Sequence, residues 1–318
     1  MTPELFLTRH NDLIDPLVHV WSWQIPIYLF LGGWVAGMMI ITGYFMLGGR
    51  HTRRSPLLSA LPGVGLVLLS LGMLALFLDL EHKCYVWRLY TTFQWTSPMS
   101  WGSWILLLVY PVLVLTWMVR PPVILEDLSQ TIERVSGALQ ANRQLVRAIG
   151  IASMIIGAAL GVYTGILLSS LGARPLWNSG ALGVLFLASG VSAAAAFAHL
   201  VTRSPDERAL TVRIDNVVLA SELGILTLFL LGLLAGSAPQ VEAAGLFLGG
   251  PYTAPFWVLV VALGMVIPLV IQILAARHLI QHTPIAPLMV MAGGLALRWV
   301  IVSAGQVSHW AHGAMRMH

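Results

Sequence analysis

Eight apolar stretches, each long enough to cross a bilayer, fill most of this 318-residue chain. A helix crossing the hydrocarbon core needs about 20 predominantly apolar residues. Stretches of that length are predicted at about 24–48, 57–79, 99–119, 148–171, 178–201, 216–236, 255–276 and 285–306. Lipid offers no hydrogen bonds to a bare backbone, so the spans must be helices or the strands of a closed barrel. The runs lack the period-two alternation of barrel strands, which leaves the helix. The predicted fold is an all-α integral membrane protein, with eight transmembrane helices packed as two four-helix bundles. The whole chain, 1–318, reads as a single membrane domain with an amino-terminal interfacial segment over 1–23.

Composition agrees. Only 9% of residues are charged and 58% are apolar, whereas a soluble domain is about 25% charged. Trp21, Trp23, Trp101, Trp117, Trp177, Trp257 and Trp310 fall near predicted span ends, as interfacial belts require. The net charge of +4 does not imply a nucleic-acid partner, because the arginines sit at span edges rather than in one patch. Cys84 is the single cysteine, which excludes an internal disulfide and an iron–sulfur cluster held by four thiolates of this chain. Residues 1–20 contain Glu4, Asp12 and Asp15 and no continuous apolar core, so no secretory signal peptide is expected there.

Orientation follows from the cations in the joints. The joints after the first, third, fifth and seventh spans hold 11 of the 17 Lys and Arg, and the opposite side holds 5. Both termini are therefore expected on the periplasmic side of a bacterial inner membrane. Within the third joint, Leu125, Leu128, Ile132, Val135, Leu139 and Leu145 recur at helical intervals. That spacing predicts a cytoplasmic amphipathic helix over about 122–147.

The remaining polar groups collect on the non-cytoplasmic side. Asp15 and His19 stand at i, i+4, on one helical face just before the first span. The second span ends in Asp79, Glu81, His82 and Lys83, followed by Tyr85, Trp87, Arg88 and Tyr90. Tyr163 in the fourth span and Arg298 in the eighth belong to the same depth. Plainer roles exist for several: Trp87 and Tyr90 as interfacial anchors, Asp79 and Lys83 as an ion pair closing a helix, His19 as a structural histidine. Arg298 and Glu222 are different, since a charge well inside a span costs about 2.5–3.5 kcal/mol on insertion scales and is by default functional. Gly157, Gly161 and Gly165, and likewise Gly33 and Gly37, read as surfaces for close helix packing.

Four stretches together resemble one family. They are IPIYLFLGGWVAG at 25–37, DLEHKCYVWRLYTTFQWTSPMSWGSWILLL at 79–108, YTGILLSSLGARPLWNSGALGVLFLASGVSAAAA at 163–196 and LRWVIVSAGQ at 297–306. The chain resembles the NrfD/PsrC family, the membrane subunits of polysulfide-reductase-type complexes. The resemblance implies a subunit that handles a quinone, menaquinone or ubiquinone, with no haem or iron–sulfur cluster of its own. It also implies an extracytoplasmic iron–sulfur partner with ferredoxin-like clusters, four in number, and a catalytic subunit that often contains molybdopterin. Such a subunit carries the quinone half-reaction, not the primary catalytic site. The tyrosine of the YTG stretch corresponds to Tyr163, and the histidine before the first span to His19. Four residues ahead of that histidine, relatives can carry Asn where this chain has Asp15. Many relatives have a proline near Lys83.

Quinone chemistry moves two electrons and two protons, so the ring oxygens need partners that exchange protons. Histidine titrates near pH 6.5 and tyrosine both donates and accepts. The expected site therefore has His19 and Tyr163 on the quinone and Asp15 orienting His19. Asp79 and His82 also line it, and Asp79, Glu81 or His82 relay protons outward. Glu222 and Arg298, with Asp215 at the inner mouth, form a second expectation, a proton path from the cytoplasmic side whose plainer reading is helix packing. Two other classes stay open. A haem b anchor would use His199 with His278 or His282, and a secondary transporter would use a broken helix, for which Pro268 is the one candidate.

Overall fold

The computed structural model describes residues 21–48, 55–80, 82–122, 129–172, 174–202, 204–277, 279–281 and 283–308, without the side chain of Leu89. Eight helices among them are long and apolar enough to span a membrane: α1 (Gln24–Leu47), α2 (Pro56–Asp79), α3 (Pro98–Val119), α4 (Arg143–Ser169), α5 (Ala181–Val201), α6 (Pro205–Leu234), α7 (Pro255–Ala276) and α8 (Ile285–Val307). The chain is a multi-pass membrane protein.

Helix starts are set by polar chemistry at the joints. Ser55 accepts from the Leu57 amide at 3.2 Å ahead of Pro56. Asn142 accepts from the amides of Gln144 and Leu145, each at 3.1 Å. Side-chain oxygens at these positions satisfy amides that have no intrahelical partner. Asn142 also corrects one expectation. The amphipathic stretch is not a single helix: its described part is the helix Gln130–Ala141, and the chain is extended at Asn142 before α4 begins at Arg143. Pro268 does not unwind α7, which is π-helical over Pro255–Val266 and α-helical over Ile267–Ala276.

Helices α1 to α4 pack in a ring, each on its neighbours and α4 back on α1. Helices α5 to α8 do the same, and the two four-helix bundles meet where α1 and α4 contact α5 and where α1 contacts α8. Residues of α1 are buried along most of its length, with Leu29, Val35, Ala36, Met38, Met39 and Met46 fully enclosed. Close approach makes this possible. A methyl group at Gly37 would overlap the carbonyl of Gly190 on α5, and one at Gly157 on α4 would lie 2.8 Å from the Ala36 oxygen. With no hydrophobic force between helices in lipid, such contacts and interhelical hydrogen bonds hold the bundle. One example is Ser153 on α4, which donates to the Met39 carbonyl of α1 at 2.8 Å.

Candidate functional site

A cavity of about 570 Å³ occupies the first bundle at the end where α1 starts. Each helix of that bundle contributes: Tyr28 from α1, Met73, Leu76 and Phe77 from α2, Gly102, Ser103 and Leu106 from α3, and Tyr163 and Leu167 from α4. The segment between α2 and α3 closes the top with His82, Tyr85, Arg88 and Tyr90. Phe77 and Met99 line the cavity and are also exposed on the bundle surface. The space therefore opens sideways between the end of α2 and the start of α3.

The covering segment is built from short-range bonds. Ser100 accepts from the Gln94 amide at 3.0 Å and donates to the Thr92 carbonyl at 3.3 Å, folding 92–100 into a compact turn. The Trp101 indole donates to the Trp95 carbonyl at 2.9 Å. At the mouth, the Arg88 guanidinium lies 4.6 Å from the Tyr85 ring centre and 5.6 Å from that of Trp87, a cation–π arrangement that keeps the cation at the rim.

Besides the exposed Tyr85 at the rim, three phenols face this space. Tyr28 and Tyr163 are 3% and 5% exposed, and Tyr90 is half-buried. Among the described residues, none of the three hydroxyls has a hydrogen-bond partner. Burial, and then the neighbouring Tyr110, pushes the Tyr90 phenol up from its ordinary value, so it stays a protonated donor. The Tyr163 ring lies against Gly102. A methyl group there would overlap its terminal ring carbon and its oxygen. An apolar cavity with a few convergent, unsatisfied donors is the usual form of a small-molecule site.

A separate polar cluster sits inside the second bundle. Arg298 is fully buried. Its Nε donates to the Leu29 carbonyl at 3.1 Å, one terminal nitrogen to Ser189 Oγ at 3.0 Å and the Gly294 carbonyl at 2.8 Å, and the other to the Phe186 carbonyl at 2.9 Å. Helical carbonyls keep a second lone pair for such donors. A methyl group at Gly33 would collide with the guanidinium, so that glycine leaves it room. Glu222 lies in electrostatic reach of Ser189, Arg298 and Asp215. Asp215 accepts from Ser192 at 2.8 Å and from Gln272 at 2.6 Å. Further along α6, Glu207 accepts from Thr202 at 3.1 Å. Glu207, Thr211, Asp215 and Glu222 are all buried, and their spacing of four, four and seven aligns them on one helical face.

The structure thus brings Tyr163 and His82 to one cavity and gathers Asp215, Glu222 and Arg298 in a second location. Asp79 ends α2, partly buried, beside the cavity but not among its lining side chains. Asp15, His19 and Glu81 lie outside the described residues, as do His278 and His282; His199 is buried near the end of α5. The chain leading into α1 is held at Trp21, whose backbone accepts from Gln306 at 3.0 Å and donates back at 3.3 Å. The Trp21 ring stacks on Trp177 at 5.1 Å. Sequence reasoning missed Tyr28 and Gly102. A glycine set between Ser-Trp and Ser-Trp in an apolar helix was the available sign for Gly102.

Comparison with known proteins matches residues 8–309 to the family described as polysulphide reductase, NrfD. The C subunit of polysulfide reductase from Wolinella succinogenes is 30% identical over 306 residues, covering 90% of this chain and 94% of that protein. Protein NrfD of Escherichia coli is 32% identical over 310 residues, covering 91% and 96%. The NrfD homolog of Haemophilus influenzae is 27% identical over 308 residues, covering 91% and 95%.

Proposed function

The chain belongs to the polysulphide reductase NrfD family, and on that footing we propose that it is the quinone-binding membrane subunit of a respiratory oxidoreductase complex. It passes electrons between the quinone pool and an extracytoplasmic iron–sulfur subunit of the ferredoxin-like, four-cluster kind, which in turn meets a catalytic subunit. The distribution of cations, 11 against 5, supports an inner-membrane topology in which the end where α1 starts faces outward.

The observation that carries this reading is the cavity with its unpartnered phenols. Its volume of about 570 Å³ falls in the roughly 300–1,000 Å³ range of sites that enclose small organic ligands. Its walls are mostly apolar, with tyrosine and serine hydroxyls from the helices and His82, Arg88, Thr92 and Gln94 from the covering segment, which suits a ring with two carbonyl oxygens and an apolar tail. The sideways opening between α2 and α3 gives a membrane-dissolved molecule access.

A bound quinone would supply the redox chemistry, taking up or giving up two electrons and two protons at its carbonyl oxygens. The protein's own part is to hold that ring and handle the protons. Tyr163 donates a hydrogen bond to one oxygen, its ring fixed against Gly102. Asp15 orients His19, which serves as a second partner of the ring. His82 at the mouth, with Asp79 and Glu81 beside it, exchanges protons with the outer aqueous phase. Apolar walls keep bulk water from the deep end, where a hydrogen bond is stronger than in water.

The test is Tyr163→Phe in the complete complex. Quinol-linked turnover is expected to disappear, while the complex still assembles and its catalytic partner still reduces or oxidises an artificial dye. Wild-type quinol turnover in that variant refutes the assignment.

One further observation favours proton movement through the second bundle. Glu207, Thr211, Asp215 and Glu222 run along one buried face of α6 toward Ser189 and Arg298. Buried carboxyls such as Glu207 and Asp215, each holding a hydroxyl and Asp215 also an amide, are the groups from which proton relays in membranes are built. In this reading they conduct protons from the cytoplasmic side toward Arg298, and the quinone reaction contributes to the proton gradient.

A further inference from the structure

We propose that Tyr28 is a second ligand-binding hydroxyl of the cavity, donating to the same head group as Tyr163. This rests on the quinone reading and adds to it a residue that neither the spacing of the sequence nor the comparisons single out.

Tyr28 turns an unpartnered polar atom toward the cavity. Tyr28 is 3% exposed, and among the described residues its hydroxyl bonds to nothing in the protein. The residue is enclosed but its hydroxyl is open to the cavity, and a polar atom so placed in an otherwise apolar interior calls for a specific reason. Packing alone supplies none, because a phenylalanine fills the same volume without the unpaired oxygen. Helix α1 already uses phenylalanine at its other buried aromatic positions, Phe30 and Phe45. Tyr44, by contrast, is exposed near the far end of the helix, where a phenol meets interfacial water. Tyr28 stands out as the one enclosed phenol on α1.

Its surroundings identify the missing partner. Tyr28 lines the same cavity as Tyr163 and Tyr90 and lies within electrostatic reach of both. Its backbone is fixed, since the next residue's carbonyl accepts from Arg298 at 3.1 Å. Its ring rests on α2, where a methyl group at Gly72 would lie 3.9 Å away in ordinary contact. A rigidly mounted donor aimed into an enclosed apolar space is pre-organised for an acceptor that arrives from outside. Together, Tyr28 and Tyr163 present two hydroxyls from two helices. The matching ligand is a compact ring carrying oxygen acceptors, as a quinone does.

The experiment compares wild type, Tyr28→Phe and Tyr163→Phe in the complete complex in native membranes, with decylubiquinone and menadione and their quinols as probes. Because the hydroxyl contributes no hydrogen bond to the fold, Tyr28→Phe is expected to assemble and unfold thermally as wild type does. Its half-saturating concentration for the probes should rise about three- to tenfold, the equivalent of one neutral hydrogen bond. With carbonyl-labelled decylubiquinone, the infrared stretch of the bound carbonyl should move up in frequency as that bond is lost. Unchanged half-saturation with an unchanged carbonyl stretch overturns the proposal. So does a variant whose only defect is lower thermal stability, which would make Tyr28 a packing residue. If Tyr163→Phe abolishes quinol turnover and Tyr28→Phe matches wild type, the Tyr28 inference alone fails. If Tyr163→Phe turns over normally, the quinone assignment itself fails.

Discussion

Gly102→Ala isolates the positioning of Tyr163 from its chemistry. The substitution adds one methyl group to α3, and in an apolar helix alanine is the better helix former by about 1 kcal/mol. Its local effect on α3 is therefore mildly favourable. The cost arises across the helix pair, where the new carbon overlaps the end of the Tyr163 ring. Carbon atoms rest about 3.5–4.0 Å apart, so the phenol must retreat by more than about 1 Å. A hydrogen bond tolerates only about 0.5 Å of spread in its donor–acceptor distance. Overpacking of this kind costs about 1–3 kcal/mol of stability, and a 1 Å misplacement of a reacting group costs on the order of 100-fold in rate. Quinol turnover by the assembled complex should therefore fall about 100-fold although every polar atom of the site is retained. Thermal unfolding of the solubilised protein should show the packing cost. Placing Gly102→Ala in a Tyr163→Ala background removes the collision, so there the second substitution should be neutral or stabilising. Gly102→Ala with wild-type turnover, or an undiminished stability penalty in the Tyr163→Ala background, refutes the reasoning.

The buried cluster gives two more predictions. Glu222→Gln keeps the shape but no longer titrates; in sealed vesicles it should lower proton translocation per electron while quinol oxidation persists, and unchanged translocation leaves Glu222 a packing role alone. Arg298→Met removes a guanidinium that bonds α1, α5 and α8 and leaves Glu222 without a nearby cation, and it should lower thermal stability by more than the roughly 1.5–3 kcal/mol of one charge-assisted hydrogen bond. Adding Glu222→Gln should recover part of that loss in thermal unfolding, and a double variant no more stable than the single contradicts the electrostatic account.

Hydropathy found each span but not where its helix begins. The fourth span is apolar from about residue 148, yet α4 begins at Arg143 because Asn142 caps it there. The sixth is apolar from about 216, yet α6 starts at Pro205 and carries Glu207, Asp215 and two arginines in its first turns. Lipid selects the apolar window, whereas capping and proline select the helix start, and the two need not coincide. A close reading of Asn142 as a cap would have divided the amphipathic stretch correctly. The cavity was legible only in part. Tyr163 and His82 carry chemistry conspicuous in any apolar sequence. Tyr28 is hidden, because an aromatic residue inside an apolar run looks like core and its unpaired hydroxyl appears only once four helices surround it. Arg298 was legible as an anomaly. Three of its acceptors, however, are main-chain carbonyls of Leu29, Phe186 and Gly294, which no side-chain pattern encodes.

Tyr28 looks into one bundle while the carbonyl of Leu29, its immediate neighbour, receives the arginine of the other. Consecutive residues on a helix diverge by about 100°, so this turn of α1 serves two compartments from different flanks. Any twist or slide that re-aims the phenol must also stretch or shorten the Leu29–Arg298 bond. The phenol-lined cavity and the charged interior are geared to a single shaft.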